Sequence, residues 1–232
     1  THGNFVANCN AVPKPQSGLE LCGKADRELM RHSGTPINHA RVTLDLRGLN
    51  KAALPTPKIN LTSYQDLVRD FKDKLISKLD LCSLFWAVPL SYSCQNVTNF
   101  FFNKEVYTFC KLPQGYAGSP FIAGSATTMT YSNKTMMAFL DQKGWKLNSA
   151  EWPFSSVNDF LILYVDDLII RTPKGIENDI QIHLRVLEFI LFATKVYGFK
   201  ISHGKCSVLT RNFKFLGHQF DTETESYGIP KE

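Results

Sequence analysis

The sequence lacks the cysteine spacings of a zinc-binding or disulfide-linked domain. Its six cysteines include no CxxC pair and show no zinc-ligand spacing with the six histidines. A chain of 232 residues can bury a core large enough to fold without disulfides, so we interpret the cysteines as reduced thiols. The composition therefore argues against a small secreted scaffold held together by disulfides.

The sequence has no long apolar run that is free of charge, and its polar first residues lead us to expect no signal peptide. The best apolar candidate, residues 160–170, carries Asp166 and Asp167 in its middle, where charge in a bilayer is costly. We therefore expect no membrane partner. Because the chain begins with Thr1 and stops at Lys231-Glu232, we expect it to be a piece of a larger polypeptide.

The charge balance is only slightly basic. Lysine and arginine number 26 against 21 aspartates and glutamates, which gives a formal net charge of +5. An excess of this size permits a nucleic-acid partner without requiring one. Hydrophobic residues make up 44% of the chain, as in a globular protein of one domain or of two interlocked subdomains.

Residues 160–170 place two adjacent carboxylates between two apolar runs. Such runs, rich in β-branched and aromatic residues, predict a hairpin with Val165 and Asp166 at its tip. Neighbouring anions there lose hydration and repel each other, so the site needs compensating cations. One interpretation is a divalent metal site, with Mg²⁺ favoured by the hard oxygen ligands. The other is a solvated Asp-Asp turn.

A third carboxylate, Asp80, lies in the apolar run 78–90, which predicts another strand. A lone acid in such a strand is costly unless it is hydrogen-bonded, paired or bound to metal. Asp80 either accepts hydrogen bonds from the backbone or from Ser83, or completes a three-carboxylate site for two Mg²⁺ ions. Two metals about 3.5–4 Å apart can activate an attacking oxygen and stabilise a leaving one in phosphoryl transfer.

Other stretches have local signatures of strands and helices. Alternation over residues 41–47 predicts a half-buried strand, and the aromatic residues 100–109 predict a hairpin. Ser119 and Pro120 predict the start of a helix that runs to about Leu140, after a glycine-containing loop that either binds a ligand or simply connects. Another helix, ended by Gly198, is predicted with one apolar face formed by Ile176, Ile180, Leu184, Leu187 and Leu191.

Four segments occur in the order seen in reverse transcriptases. They are Arg41-Val-Thr-Leu-Asp-Leu-Arg-Gly-Leu-Asn-Lys51, Leu79-Asp80…Phe85…Val88-Pro-Leu90, Leu112-Pro-Gln-Gly…Ser119-Pro120 and Tyr164-Val-Asp-Asp167. From about Val12 to Gly228 the chain resembles the fingers and palm of a retrovirus or LTR-retrotransposon enzyme. Two stretches depart from the family's pattern, because the segment between Lys14 and Arg41 is longer and residues 141–158 are expanded.

The resemblance implies an α+β polymerase fold shaped like a right hand, with an antiparallel palm sheet packed on helices and β-rich fingers. Its boundaries would place the fingers at 1–54 and 88–118. The palm would occupy 55–87 and 119–218, including a hairpin like the primer grip, and 219–232 would start the connection to a thumb. The thumb itself would be absent, and the oligomeric state stays open.

The resemblance also assigns catalytic groups. Asp80 and Asp166 match the main metal ligands, Asp167 matches the supporting carboxylate, and Leu81 would lend a backbone carbonyl to the metal. The implied cofactor is a pair of Mg²⁺ ions, for which Mn²⁺ can substitute. Lys205 matches a lysine proposed to protonate the pyrophosphate leaving group, although an ordinary solvated lysine explains it nearly as well.

The remaining matched positions concern the substrates. Ser83 and Leu84 would present backbone N–H groups to the triphosphate, which Arg41 would grip with its planar, permanently charged fork. Phe85 matches the aromatic steric gate beneath the incoming sugar, and Gln114 matches a residue that contacts the nucleotide near its 3′-OH. The positions matched to primer and template are Gly115, Ser119, Pro120, Tyr164, Leu216, Gly217 and His218.

The implied function is that of an RNA-directed DNA polymerase, which adds deoxynucleoside triphosphates to a primer on an RNA or DNA template. One alternative is a catalytically silent polymerase-fold domain that binds nucleic acid or supports a larger assembly. Another two-metal nuclease or phosphatase would explain the three acids but not Phe85, Gln114 or the loop 112–120. As part of a polyprotein with thumb and RNase H, the chain is expected in the cytoplasm, in a virion core or virus-like particle, with a nuclear location left open.

Overall fold

The computed structural model describes residues 6–13, 40–53, 55, 57, 70–102 and 105–229, with the backbone alone for 6–13, 40–44, 101 and 102. The chain divides into two compact units, which are described separately. The first consists of Thr1–Pro55 and Pro89–Ser119, and the second of Thr56–Val88 and Pro120–Glu232. The predicted tip of the 100–109 hairpin, residues 103 and 104, lies outside the described residues, as do Lys14 and most of the long segment that follows it.

The elements alternate between the two units along the chain. The strands are β1 (Val6–Pro13), β2 (Ala40–Leu44), β3 (Lys74–Asp80), β4 (Asn99–Phe102), β5 (Glu105–Thr108), β6 (Leu161–Tyr164), β7 (Asp167–Pro173), β8 (Ser207–Thr210), β9 (Asn212–Phe215), β10 (His218–Asp221) and β11 (Ser226–Gly228). The helices are α1 (Arg47–Ala52), α2 (Leu84–Ala87), α3 (Tyr92–Gln95), α4 (Ser119–Thr130), α5 (Asn133–Lys143) and α6 (Asp179–Val196).

A mixed four-stranded sheet in the order β2-β1-β4-β5 forms the first unit. β1 runs antiparallel to β2 and parallel to β4, and β4 pairs with β5 as a hairpin. These pairings confirm the strand predicted at 41–47, which ends at Leu44, and the hairpin predicted at 100–109. Phe100 and Tyr107 are direct cross-strand partners whose rings stack at a centroid distance of 5.6 Å, so this pair stabilises the hairpin.

An antiparallel sheet in the order β6-β7-β3-β8 organises the second unit. The β3–β7 ladder runs to the pair Asp80↔Asp167 at its end. Because successive side chains of a strand point to opposite faces, Lys78 and Asp80 share one face of β3, and Ser77 lies on the other. The register of this ladder therefore decides which side chains reach the end of the sheet.

One face of this sheet packs on a second antiparallel sheet, β11-β10-β9. Phe71 contacts the rings of Phe213 and Phe220 edge-on, with centroid distances of 5.3 and 5.6 Å. The buried cluster between the two sheets consists of Phe71, Ile76, Ile169, Phe213, Phe215 and Phe220. This layer fixes the β9–β10 hairpin against the strands that carry the carboxylates.

The other face packs on α6 through a buried histidine. The Nε2 atom of His183 lies 2.7 Å from Ser77 Oγ, and its Nδ1 atom lies 2.8 Å from Thr172 Oγ1. Ser77 Oγ also accepts a hydrogen bond of 3.0 Å from the Leu209 backbone N–H. One imidazole thus joins α6 to β3 and β7, and through Ser77 to β8. Burial lowers the pKa of His183 to about 4, so the ring is neutral at pH 7.

The stretch 141–158 is part of the core of this unit. Trp152 is fully buried and packs edge-on against Phe160 and Phe189, at centroid distances of 5.4 and 6.1 Å. Arg185 of α6 donates a hydrogen bond of 2.9 Å to the Glu151 carbonyl, and its guanidinium lies 5.1 Å from the centroid of the Trp145 ring. The stretch is therefore anchored along α6.

Two predicted elements are wrong in extent. The run 78–90 is not one strand, because β3 ends at Asp80 and the chain turns through Ser83, with φ of +51°, into α2. The helix predicted from Ser119 to Leu140 is two helices, α4 and α5. The hydroxyl of Ser132 accepts a hydrogen bond of 3.3 Å from the Thr135 N–H and so caps α5. Apolar residues continue past Asp80, so the pattern did not reveal the first break. At the second break the polar run Ser132-Asn133-Lys134 was an available signal, because serine is a preferred N-cap residue.

The helix predicted before Gly198 is confirmed as α6, but its predicted apolar face lies on the outside. Ile180, Leu184 and Leu191 are exposed. The buried residues are Ile182, His183, Val186, Phe189, Ile190, Ala193 and Thr194. Because α6 is apolar on both sides, periodicity alone could not select the packed face. No helix in the described part of the chain, α6 included, is long and apolar enough to span a membrane.

The buried histidine gives the fold a specific acid sensitivity. The folded-state pKa of His183, about 4, lies below the ordinary value of 6.5, so the unfolded chain binds the proton more tightly. We therefore expect the stabilisation from neutral His183 to be complete above pH 6.5 and to be lost as the pH falls towards 4. Urea unfolding of wild type and His183→Gln across this range should show a steeper loss in wild type. Parallel pH profiles for the two proteins would contradict this assignment.

Candidate active site

The turn between β6 and β7 places Asp166 at the tip of a hairpin. Tyr164 pairs with Asp167, so Val165 and Asp166 form a two-residue turn, as the sequence predicted. Val165 has φ of +54°, a conformation that β-branched residues rarely adopt. Backbone strain of this kind is concentrated at functional sites, where the surrounding structure maintains it. The turn is therefore a candidate for function on its geometry as well as on its charge.

Strand pairing brings the three predicted carboxylates, Asp80, Asp166 and Asp167, to one end of the β3–β7 ladder. This end of the sheet is the carboxylate edge. Asp80 is the direct cross-strand partner of Asp167, and the Leu81 N–H donates a hydrogen bond of 2.9 Å to the Asp166 carbonyl. Direct partners on one face have Cβ atoms about 4.5–5.5 Å apart, so these like charges repel each other. The edge therefore requires positive charge.

Two lysines supply part of that charge. Lys78 Nζ lies 2.9 Å from Asp167 Oδ1, and Lys205 Nζ lies 3.3 Å from Asp80 Oδ2. Asp166 has no ion-pair partner among the described residues. Burial raises the pKa of Asp166 above its usual range, and the charges of Asp167 and Asp80 raise it further. A hydrogen bond from its own backbone N–H and the charge of Lys205 lower it by less. The site therefore keeps an excess of negative charge around Asp166.

A short turn positions Lys205 beside Asp80. The backbone carbonyl of Asp80 accepts a hydrogen bond of 2.8 Å from the Ser202 N–H, and Leu81 forms a β-bridge with Ile201. The 3₁₀ turn His203–Lys205 follows directly. The family resemblance includes Lys205, whereas no motif in the sequence assigned a role to Lys78. The available signal was its place two residues before Asp80, which puts both side chains on one face of β3.

The donor atoms at this edge fit a divalent cation. Carboxylate and backbone carbonyl oxygens are the hard ligands that Mg²⁺ and Mn²⁺ take, and such a cation would offset the excess charge around Asp166. Within the described ranges, however, no three acidic, histidine or cysteine side chains are grouped as a ready-made metal site. The three carboxylates share an edge without converging on one point. Asp167 is instead held by Lys78.

The chain turns directly after Asp80 and enters α2. Ser83 adopts the left-handed conformation and is exposed, whereas the side chain of Leu84 is buried. Phe85 is half-buried in α2. The predicted contacts of these three residues with a nucleotide stay predictions, as does that of Arg41, whose side chain lies outside the described residues.

The β9–β10 hairpin has a tight turn at the position predicted from the sequence. Phe215 pairs with His218, and both turn residues have positive φ, +49° at Leu216 and +77° at Gly217, as a type I′ turn requires. His218 Nδ1 lies 3.1 Å from the Leu216 carbonyl. Leu216 and Tyr164 pack against the same buried cluster, so this turn and the Val165-Asp166 turn share one core.

An apolar pocket adjoins the carboxylate-bearing turn. Its volume is about 440 Å³. It lies between α4 and the end of β6, and its lining residues are Pro120, Phe121, Gly124, Ser125, Thr127, Thr128, Met129, Leu163, Tyr164 and Val165. Gly124 leaves space on this helix, because a Cβ atom added there would meet nothing within 4 Å. The pocket brings together two positions, Pro120 and Tyr164, that the sequence assigned to primer or template.

In the first unit, the loop that carries Gln114 is held by an asparagine. Asn50 Nδ2 donates a hydrogen bond of 3.0 Å to the Gly115 carbonyl, and Asn50 Oδ1 accepts one of 2.9 Å from the Ala117 N–H. Ser119 is buried, and its hydroxyl donates 2.7 Å to the Pro113 carbonyl. The role of Asn50 was not predictable from the sequence, because no local spacing connects residues so far apart in the chain.

The fold is similar to that of solved retroviral enzymes. A foamy viral protease-reverse transcriptase in complex with double-stranded DNA superposes with a TM-score of 0.64 and 20% identity, covering 97% of this chain and 31% of that one. A complex of the foamy viral protein with an RNA/DNA hybrid gives a TM-score of 0.59 and 19% identity, covering 98% and 31%. At these identities the likeness establishes the fold, with its helices and antiparallel sheets.

Sequence comparison identifies the family. The chain is 26% identical over 195 residues to the Pro-Pol polyprotein of Simian foamy virus type 1, covering 84% of this chain and 14% of the polyprotein. It is also 26% identical over 181 residues to the retrovirus-related Pol polyprotein from transposon 412 of Drosophila melanogaster, covering 77% and 12%. The chain spans between 12% and 25% of the length of the curated relatives that it matches. Residues 28–220 match the family described as reverse transcriptase (RNA-dependent DNA polymerase), and the chain therefore belongs to the reverse transcriptase family.

Proposed function

We propose that this chain is the polymerase core of a reverse transcriptase, which adds deoxynucleotides to a primer on an RNA or DNA template. The observation that carries the proposal is the strand register that brings Asp80, Asp166 and Asp167 to one edge, in a chain that belongs to this family. The half-buried, unpaired Asp166 supports it, because an ordinary solvated turn gives no reason for a raised pKa.

Asp80 and Asp166, with the backbone carbonyl of Leu81, would hold the divalent ions, and Asp167 would support them. When bound, the ions would activate the primer 3′-hydroxyl and stabilise charge on the leaving pyrophosphate. Lys205 holds protons on a flexible ammonium group beside Asp80, so it is placed to donate one to the leaving group. Ser83 and Leu84 would present backbone N–H groups to the triphosphate, and Phe85 would exclude a ribose 2′-OH.

We assign the first unit to the fingers and the second to the palm. The first unit contains Arg41, Gln114 and the loop that Asn50 holds, which would contact the incoming nucleotide. The second contains the carboxylate edge, the pocket beside α4 and the β9–β10 hairpin. A rigid type I′ turn at Leu216 and Gly217 suits a primer grip, because it holds one shape against the shared core.

Primer and template would lie across the pocket between α4 and Tyr164. Its mainly apolar lining, which carries no charged side chain, can receive sugar and base edges of any sequence, as a polymerase requires. The relatives are polyproteins, so we propose that the working enzyme is a longer polypeptide with further domains. A virion core or virus-like particle is the location we propose for it.

Primer extension tests the function directly. The longer polypeptide should extend a DNA primer on an RNA template when Mg²⁺ or Mn²⁺ is added, and it should stop when the metal is chelated. The ion pairs of Asp80 and Asp167 with lysines also suit a silent polymerase fold, because they offset two of the three charges without metal. Such a protein would bind primer–template without extending it, and a nuclease would instead shorten the primer.

Replacing Asp166 with asparagine should abolish nucleotide addition and leave the fold intact. The change keeps side-chain volume and relieves repulsion from Asp167 and Asp80. We expect an equal or higher Tm without metal, and a smaller rise in Tm on adding Mg²⁺ and nucleotide. Asp141→Asn, at an exposed position of α5, is the matched control. Wild-type extension rates in Asp166→Asn would be incompatible with the assignment.

Replacing Phe85 with valine should admit ribonucleotides. Steric overlap in a close-packed site costs on the order of 1–3 kcal/mol, or roughly ten- to a hundredfold in kcat/KM. We therefore expect the ratio of kcat/KM for ribo- over deoxynucleotides to rise by about that factor. Val88→Ala, which trims a half-buried side chain three residues on, controls for local destabilisation. If Phe85 is only a core aromatic, the ratio will stay the same and both substrates will react more slowly.

Filling the pocket at Gly124 should weaken nucleic-acid binding. Gly124→Ala has room for its Cβ and should stabilise α4 by about 1 kcal/mol without changing the affinity for primer–template. Gly124→Leu occupies the pocket, and we expect its Kd for primer–template to rise roughly tenfold, which corresponds to about 1.4 kcal/mol. Fluorescence anisotropy at fixed salt measures both variants. Equal affinities for the two would place the nucleic acid elsewhere.

A further inference from the structure

We propose that Lys78 is a positioning residue for nucleotidyl transfer. Its ammonium group holds the Asp167 carboxylate and, with the same atom, the β9–β10 hairpin that would hold the primer end. This inference rests on the proposed function and deepens it, because it names the residue that links the primer end to the carboxylate edge.

Lys78 lies where the alternation of β3 would otherwise place an apolar side chain. It shares a face with Ile76, which is part of the buried cluster between the two sheets. Only 16% of its side chain is exposed. A lysine in such a layer is costly unless its ammonium group is fully paired. Its presence there therefore calls for specific partners.

The structure supplies two partners on different elements. Lys78 Nζ lies 2.9 Å from Asp167 Oδ1, and it donates a hydrogen bond of 2.8 Å to the Lys214 carbonyl. Asp167 begins β7, directly after Asp166, and Lys214 lies on β9, two residues before the Leu216 turn. One ammonium group thus spans the distance from the carboxylate edge to the base of the hairpin turn.

This pairing also explains why the three carboxylates do not converge. The Asp167 side chain is only 18% exposed and is directed to Lys78, which leaves Asp80 and Asp166 to hold a divalent cation. Without Lys78, the Asp167 charge would be unpaired beside Asp166, and the hairpin would lose its hydrogen bond to a β3 side chain while it kept its apolar packing. Both changes would move the reacting groups relative to the primer end.

The competing explanation is that Lys78 is a purely structural contact between two sheets, with no effect on the reaction. A purely structural contact would contribute to stability and leave kcat unchanged in molecules that remain folded. Ser77→Ala provides the matched control, because Ser77 is the adjacent residue of β3, is buried on the opposite face, and bonds His183 instead of the carboxylate edge.

Metal-free unfolding tests the ion pair without reference to activity. The proteins are wild type, Lys78→Met, Asp167→Asn and the double variant. We expect Lys78→Met to lower the Tm by roughly 5 °C or more, because it leaves a poorly exposed carboxylate unpaired. The double variant should lose less than the sum of the two single losses. Additive losses would overturn the proposal.

Steady-state primer extension then distinguishes a positioning role of Lys78 in the reaction from a purely structural role. At a temperature where every variant is folded, Lys78→Met should lose roughly ten- to hundredfold in kcat, with little change in the KM for nucleotide. Lys78→Arg, which keeps the charge, should recover part of this loss. Ser77→Ala should lower the Tm and keep the wild-type kcat.

The outcomes distinguish this inference from the function on which it rests. Suppose that wild type extends primers, that Asp166→Asn does not, and that Lys78→Met keeps the wild-type kcat. Lys78 is then a purely structural residue, and the polymerase function stands. The same conclusion follows if Lys78→Met and Ser77→Ala lose kcat in proportion to their losses in Tm. If wild type fails to extend primers under any metal condition, both proposals fall.

Discussion

Repulsion among three carboxylates is the constraint around which the second unit is arranged. Asp80 and Asp167 are cross-strand partners. Asp166 is half-buried in a turn whose other residue, Val165, has a strained backbone. Lys78 and Lys205 each offset one charge, and the third remains. Such an arrangement lowers stability unless a further cation binds, so the fold maintains it at the expense of its own free energy of unfolding. Sites that act on charged substrates commonly have this property.

The register of the β3–β7 ladder must therefore be fixed firmly. A shift of one residue would move Asp80 to the opposite face of the sheet and replace it with an apolar neighbour. Lys78 opposes such a shift on the face of the carboxylates by holding Asp167. On the opposite face, His183 adds stability to the ladder, because it contacts Ser77 on β3 and Thr172 on β7 with its two ring nitrogens. Both faces of the sheet thus carry polar side chains in otherwise apolar layers.

The parts of the fold that were predictable are those with local signals. The Val165-Asp166 turn and the 100–109 hairpin follow from apolar runs around short turns, and the structure confirms both. The hairpin at Phe215–His218 was implied by the family resemblance alone, and the structure has a hairpin at that position. The break after Asp80 and the packed face of α6 were missed, because apolar residues continue through both. The contact of Asn50 with the loop at Gly115 joins distant residues, so no spacing could reveal it. Family motifs identified the carboxylates but not the lysine that holds Asp167.

The two lysines at the carboxylate edge differ in a way that suits different roles. The side chain of Lys205 is 65% exposed and lies 3.3 Å from Asp80, whereas that of Lys78 is 16% exposed and has two short contacts. An exposed ion pair of this length contributes little to stability, so Lys205 can leave Asp80 and follow a substrate group at small cost. Lys78 cannot move without leaving a half-buried carboxylate and a backbone carbonyl without this partner. A mobile lysine suits proton transfer, and a fixed one suits alignment. Burial, more than charge, therefore separates the functions of these two residues.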